Sequence, residues 1–130
     1  MHAQIKTIET NSAPAAIGPY VQATVFNNLI FVSGQLPVDP KTNNLVVGDI
    51  TVQTRQVLDN IENILKSANS SLSHVLKVNV YMTNLDDFAQ MNKVYGQFFD
   101  QHKPARATVG VNRLVKDASI EIDVVAFVNN

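Results

Sequence analysis

Val57, Leu58, Ile61, Ile64, Leu65 and Ala68 recur at helical spacing in a chain whose other apolar runs follow a period of two. That change of period constrains the fold most. A stripe repeating every 3.6 residues or so can be buried only along one side of a helix. Gln, Arg, Asp and Lys occupy the opposite side, so the spacing predicts an amphipathic helix from Asp49 or Thr51 to Ala68. A second stripe, Phe88, Met91, Tyr95 and Phe98/Phe99, predicts another helix that stops ahead of Pro104. Asn84 is its expected N-cap, with Asp86 and Asp87 favoured by the dipole of the first turn.

The β-branched and aromatic runs at residues 4–7, 21–26, 29–33, 75–82, 107–112 and 120–128 read as strands. Asn27-Asn28 tolerates the positive φ of a two-residue hairpin turn, whereas residues 11–19 and 37–48 carry the Pro, Gly and Asn content of loops. The order β-β-β-α-β-α-β-β predicts an α/β fold, a mostly antiparallel mixed sheet with two helices packed on one face. At 130 residues the expectation is a single domain over 1–130, burying roughly two-thirds of its unfolded surface. In the last strand Ile120, Ile122, Val124 and Ala126 face one side. The other side starts with Glu121 and Asp123 and becomes apolar at Val125 and Phe127, which predicts a partner subunit.

Ten basic and eleven acidic residues give a net charge of -1, so no broad positive field exists to attract nucleic acid or an anionic membrane. No apolar run approaches the ~20 residues of a membrane span, and residues 1–10 contain no continuous apolar core of a secretory signal. A cytoplasmic location is expected. Without cysteine there is no thiolate nucleophile and no Cys-ligated zinc. His2, His74 and His102 are far apart and form no His-x-x-x-His pattern, and the five glycines form no phosphate loop. The expectation is chemistry or binding without metal or cofactor.

Three features are candidates for a site. Arg106 follows Pro104-Ala105 at the start of an apolar strand; it is either a strand-edge charge or a planar fork suited to a carboxylate or phosphate. Asn92 falls on the apolar stripe of the second helix, where its amide either ties down a loop carbonyl or meets a ligand. Ser33-Gly34 ends a strand at a residue that permits close approach of a ligand, and a structural strand end is the competing reading. Phe31 stands where a serine-hydrolase elbow needs glycine, which removes Ser33 as a nucleophile on that pattern.

Ala15-Ala16-Ile17-Gly18-Pro19-Tyr20, Val32-Ser33-Gly34-Gln35, Asp87-Phe88-Ala89-Gln90-Met91-Asn92 with Tyr95, Phe98 and Phe99, Pro104-Ala105-Arg106, and Ile120-Glu121-Ile122 together resemble the RidA (YjgF) family of reactive intermediate deaminases. The resemblance runs in order along nearly the whole chain. It implies a chorismate-mutase-like fold, a homotrimer, and clefts between subunits that bind small carboxylates. It also implies hydrolysis of 2-imino acids such as 2-iminopropanoate and 2-iminobutanoate to 2-keto acids and ammonia. By position, Arg106 would hold the substrate carboxylate and Glu121 would position or activate water. Tyr20, Ser33, Gly34 and Asn92 would line the cleft, and Thr108 would help hold the imine or water. Lys103 and Asn112 depart from the usual residues of the family, and Thr108 stands where some relatives have cysteine. The competing reading is a non-catalytic, trimeric, small-carboxylate-binding regulator, for which Arg106 suffices and Glu121 has no purpose.

An imine carbon is already electrophilic, so a positioned water and a general base suffice, without metal or covalent nucleophile. If the last two strands form a hairpin centred on Lys116-Asp117, Arg106 and Glu121 are separated by roughly 20 Å. On that geometry they meet only across a subunit interface.

Overall fold

The computed structural model describes residues 4–129. Strands β1 (Lys6–Ile8), β2 (Ala23–Phe26) and β3 (Leu29–Gln35) form an antiparallel meander. The expected hairpin at Asn27-Asn28 is present: the two asparagines have φ of 49° and 70°, and Phe26 pairs with Leu29. Residues 37–48, expected as loop, instead contain the small ladder β4 (Val38–Asp39) and β5 (Asn44–Leu45), turned through Asn43 at a φ of 62°.

Helix α1 (Ile50–Ser67) begins where Asp49 accepts a hydrogen bond from the amide of Val52, and it buries Val57, Leu58, Ile61, Ile64 and Leu65 completely. Strand β6 (Val75–Met82) follows, then helix α2 (Phe88–Phe98). Asn84 caps a separate single 3-10 turn at Leu85–Asp87, through the amide of Asp86, and not α2 itself. Strands β7 (Ala105–Gly110) and β8 (Ile120–Phe127) complete the chain, with Arg106 inside β7.

The main sheet has the order β1-β2-β3-β8-β6-β7. All pairs are antiparallel except β6 with β7, which is parallel, and both helices lie on one face. The expected hairpin between the last two strands does not form, because β6 lies between β7 and β8. A β6–α2–β7 crossover forces this: with a helix between them, β6 and β7 run parallel as neighbours, and β8 pairs on the other side of β6.

Register assigns the two sheet faces. Val78, Val80 and Met82 of β6 stand beside Val124, Ile122 and Ile120 of β8, and all are buried beneath the helices. The open face carries three cross-sheet rows: Ala105, Lys77, Val125 and Phe31; then Ala107, Asn79 and Asp123; then Val109, Tyr81 and Glu121. Phe31 and Val109 there are 45% and 46% exposed. No helix among the described residues is long and apolar enough to cross a membrane.

Candidate active site

Arg106 aligns with Val78, so its side chain emerges on the helix-covered face at the edge of the sheet. Its Nη1 donates to Asn92 Oδ1 of α2 at 2.7 Å, and its Cζ lies 4.6 Å from the Tyr95 ring centroid and 5.6 Å from that of Phe88. Asn92, placed on the apolar stripe by sequence, thus ties down the arginine fork and not a loop carbonyl. Among the described residues Arg106 pairs with no acid; the one ion pair is Arg113 with Asp117, on the surface. The Thr108 and Tyr95 hydroxyls are buried beside this group without hydrogen-bond partners. Burial pushes the Tyr95 phenol upward, against the pull of the Arg106 charge.

Glu121 emerges on the opposite face, opposite Tyr81. Its carboxylate lies against Gly34: a Cβ added at Gly34 would come within 2.9 Å of Glu121 Cδ and closer still to Oε2. The glycine is thus required by close approach, and its backbone has no positive φ. A bulge in β3 creates the space. Between the pairs Val32–Val124 and Gln35–Ile122, Ser33 and Gly34 oppose Asp123 alone. Ile17, Tyr20, Ser33, Gly34, Leu36, Val115 and Glu121 surround an open cavity of about 440 Å³. Burial raises the Glu121 pKa above its ordinary 4.5, and the negative charge of Asp123 raises it further.

The remaining contacts hold this wall in place. The Ser33 hydroxyl donates to the Val21 carbonyl at 2.6 Å and its amide donates to the Gln22 carbonyl at 2.9 Å, so Ser33 fixes the chain that carries Tyr20. The Tyr20 hydroxyl accepts from the amide of Ile17 at 3.3 Å.

Sequence reasoning passed over Gln22. It is 3% exposed, its amide donates to the carbonyls of Thr10 and Pro14, and its carbonyl oxygen accepts from the amide of Thr10. The available signal was an amide two residues after Tyr20, immediately ahead of the apolar strand that begins at Ala23. Asp123 was read only as an outward acid; its two oxygens accept from Asn79 Nδ2 at 2.8 Å and Tyr81 Oη at 2.9 Å.

Within one chain the predicted site residues therefore form two clusters. Arg106, Asn92 and Thr108 lie on the helix side, while Glu121, Gly34, Ser33 and Tyr20 lie on the open side. By register, Arg106 and Glu121 are two strands and three residues apart, about 10 Å in each direction and on opposite faces. Within one chain the two charges stay apart, but by about 14 Å across the sheet and on opposite faces, not by the roughly 20 Å along a hairpin expected from sequence. Among the described residues no three His, Asp or Glu side chains gather where they could hold a metal; His2 lies outside those residues.

The family model described as endoribonuclease L-PSP, the YjgF/RidA family, matches residues 10–128. The chain belongs to the RidA family. A RutC family protein of Pyrococcus horikoshii is 52% identical over 94% of this chain and 97% of its own. The 2-iminobutanoate/2-iminopropanoate deaminase of Escherichia coli K12 is 47% identical over 93% of this chain and 96% of its own. Other relatives are named only for the RutC family or for a regulatory role. Among solved structures, E. coli TdcF with bound serine superposes with a TM-score of 0.91 at 43% identity, covering 95% of this chain and 99% of that one. Family membership accounts for the shared fold: two helices on one face of a mixed sheet.

Proposed function

We propose that this RidA-family chain is a hydrolytic deaminase of 2-imino acids such as 2-iminobutanoate and 2-iminopropanoate, working as a homotrimer. Each cleft would join the Arg106 cluster of one subunit to the Glu121 cluster of the next. The observation that carries this reading is Arg106 itself. Its guanidinium, half-buried, is held by a neutral amide and two aromatic faces, with no acid among the described residues to neutralise it. Such a group is suited to an incoming carboxylate. The apolar part of the open face, with Phe31, Val125 and Val109, supports a covering copy of the chain. The E. coli relative supplies the reaction class.

In this reading Arg106 holds the substrate carboxylate and Asn92 holds Arg106. Glu121 takes a proton from water as the water oxygen bonds to the carbon of the N-protonated imine, giving a tetrahedral 2-amino-2-hydroxy acid. Glu121 returns that proton to nitrogen and, as the C–N bond breaks and ammonia leaves, accepts the hydroxyl proton and passes it to the departing ammonia, leaving the 2-keto acid. Water supplies the oxygen and two hydrogens, so no redox partner is needed. The raised Glu121 pKa suits a group that must both accept and return a proton. Tyr20, Ser33 and Gly34 wall the water side, and the unpartnered Thr108 hydroxyl stands on the carboxylate side to bond imine or water.

The test is to generate 2-iminobutanoate in situ and follow 2-oxobutanoate release. Wild type should exceed the buffer rate, while Arg106→Ala and Glu121→Gln should lose about 10² to 10⁴ of the enhancement. A wild type that matches buffer sinks the deaminase reading. An inactive mixture of the two single variants that regains activity when subunits are exchanged supports the shared cleft.

A further inference from the structure

The contacts of Arg106 are one-sided. Nη1 is occupied by Asn92 at 2.7 Å, whereas Nε and Nη2 have no hydrogen-bond partner among the described residues. In an arginine, Nε–H and one N–H of Nη2 point the same way and form one complete edge of the fork, spaced to meet the two oxygens of a carboxylate. The plane of that fork is not left to solvent: Tyr95, 9% exposed, lies 4.6 Å from Cζ, and Phe88 lies 5.6 Å away. Both rings and Asn92 come from α2, at positions 88, 92 and 95, which helical spacing places on one face. A single rigid element therefore fixes both the tilt and the rotation of the guanidinium.

We propose that Tyr95 and Phe88 are positioning residues which, with Asn92, orient Arg106 so that the substrate carboxylate is captured side-on by Nε and Nη2. The inference rests on the carboxylate role assigned to Arg106 above. The ring of Tyr95 performs this task, since the guanidinium lies over it with Cζ 4.6 Å from the centroid. Pre-orientation lowers the side-chain entropy lost when the anion binds, so removing a ring weakens capture even where every hydrogen-bonding group remains. A lysine at position 106 would offer a point charge with no edge to align.

The experiment follows the Nε–H resonance of Arg106 by ¹⁵N NMR during titration with 2-oxobutanoate, alongside KM and kcat for the imine. In wild type the Nε–H signal is sharp before ligand is added and moves downfield on saturation. Tyr95→Leu should broaden or lose the free signal and raise both the 2-oxobutanoate Kd and KM about 5- to 30-fold, with a smaller change in kcat. Tyr95→Phe, which keeps the ring, should restore both to within about twofold of wild type. Phe88 is 38% exposed, so Phe88→Leu tests the second ring without threatening the fold; about a 2- to 5-fold loss is expected. A folded Tyr95→Leu or Phe88→Leu that retains wild-type Kd and Nε–H order overturns the inference while leaving the deaminase reading intact. So does 2-oxobutanoate binding that leaves the Nε–H resonance unmoved. Failure of wild type to bind the keto acid or turn over the imine overturns the deaminase reading and side-on capture with it.

Discussion

Gly34→Ala separates the requirements of the fold from those of the proposed chemistry. The added Cβ would lie 2.9 Å from Cδ and 3.2 Å from Cγ of Glu121, with Oε2 closer still. These three nearest atoms all belong to the flexible side chain of Glu121 and none is backbone. The cheapest relief is a rotation of Glu121 away from β3. Crowding in a partly buried site costs about 1 kcal/mol at the low end of overpacking. Replacing a strand glycine by alanine returns about 0.5–1 kcal/mol, so the net change in stability is within ~0.5 kcal/mol of zero. The base, however, is displaced by more than an ångström, and the general-base contribution of about 10²- to 10⁴-fold is exposed to that displacement. Urea unfolding and imine hydrolysis, measured on the same preparation, should show near wild-type stability with kcat/KM lowered about 100-fold or more. In the Glu121→Gln background the same substitution should cost little further activity, because the group it disturbs is already disabled. Wild-type kcat/KM in a correctly folded Gly34→Ala would refute the placement of Glu121 over Gly34 as the catalytic arrangement.

Two other perturbations test the walls of the site. Asp123→Asn removes the like charge that, after burial, raises the Glu121 pKa, so the acid limb of the pH–rate profile should move to lower pH while burial keeps it above the ordinary carboxylate value. The sign for folding is consistent: a carboxyl with a raised folded-state pKa binds more protons folded than unfolded, so its contribution to stability falls as pH rises from 4.5 through the raised value, and Asp123→Asn should shrink that fall, as read by urea unfolding across the window. Gln22→Leu strips the partners from the Thr10 and Pro14 carbonyls and from the Thr10 amide, and should cost about 2 kcal/mol in urea unfolding and raise KM through loss of the Tyr20 wall.

Much of the architecture was legible because local periodicity carries it. The α1 stripe, the Asn27-Asn28 turn and the alternation of Ile120 to Phe127 each state which side of an element meets the core, and burial follows them. What periodicity omits is which strands become neighbours. The loop between β7 and β8 looks like a hairpin connection in sequence, yet β6 occupies the space between them, since the α2 crossover makes β6 and β7 adjacent and parallel.

The same division runs through the site. The inventory was legible along the chain: one arginine after Pro104, one amide on the helical stripe, a glycine at a strand end, and a carboxylate alternating outward from a buried strand. These follow from residue type and spacing, which set chemistry and facing within a single element. The groupings, Arg106 with Asn92 and Tyr95 on the helix side and Glu121 with Gly34 on the open side, arise from contacts between elements far apart in the chain. Contacts between elements depend on strand order, on register and on one bulge in β3, all of which are set by how the whole core closes.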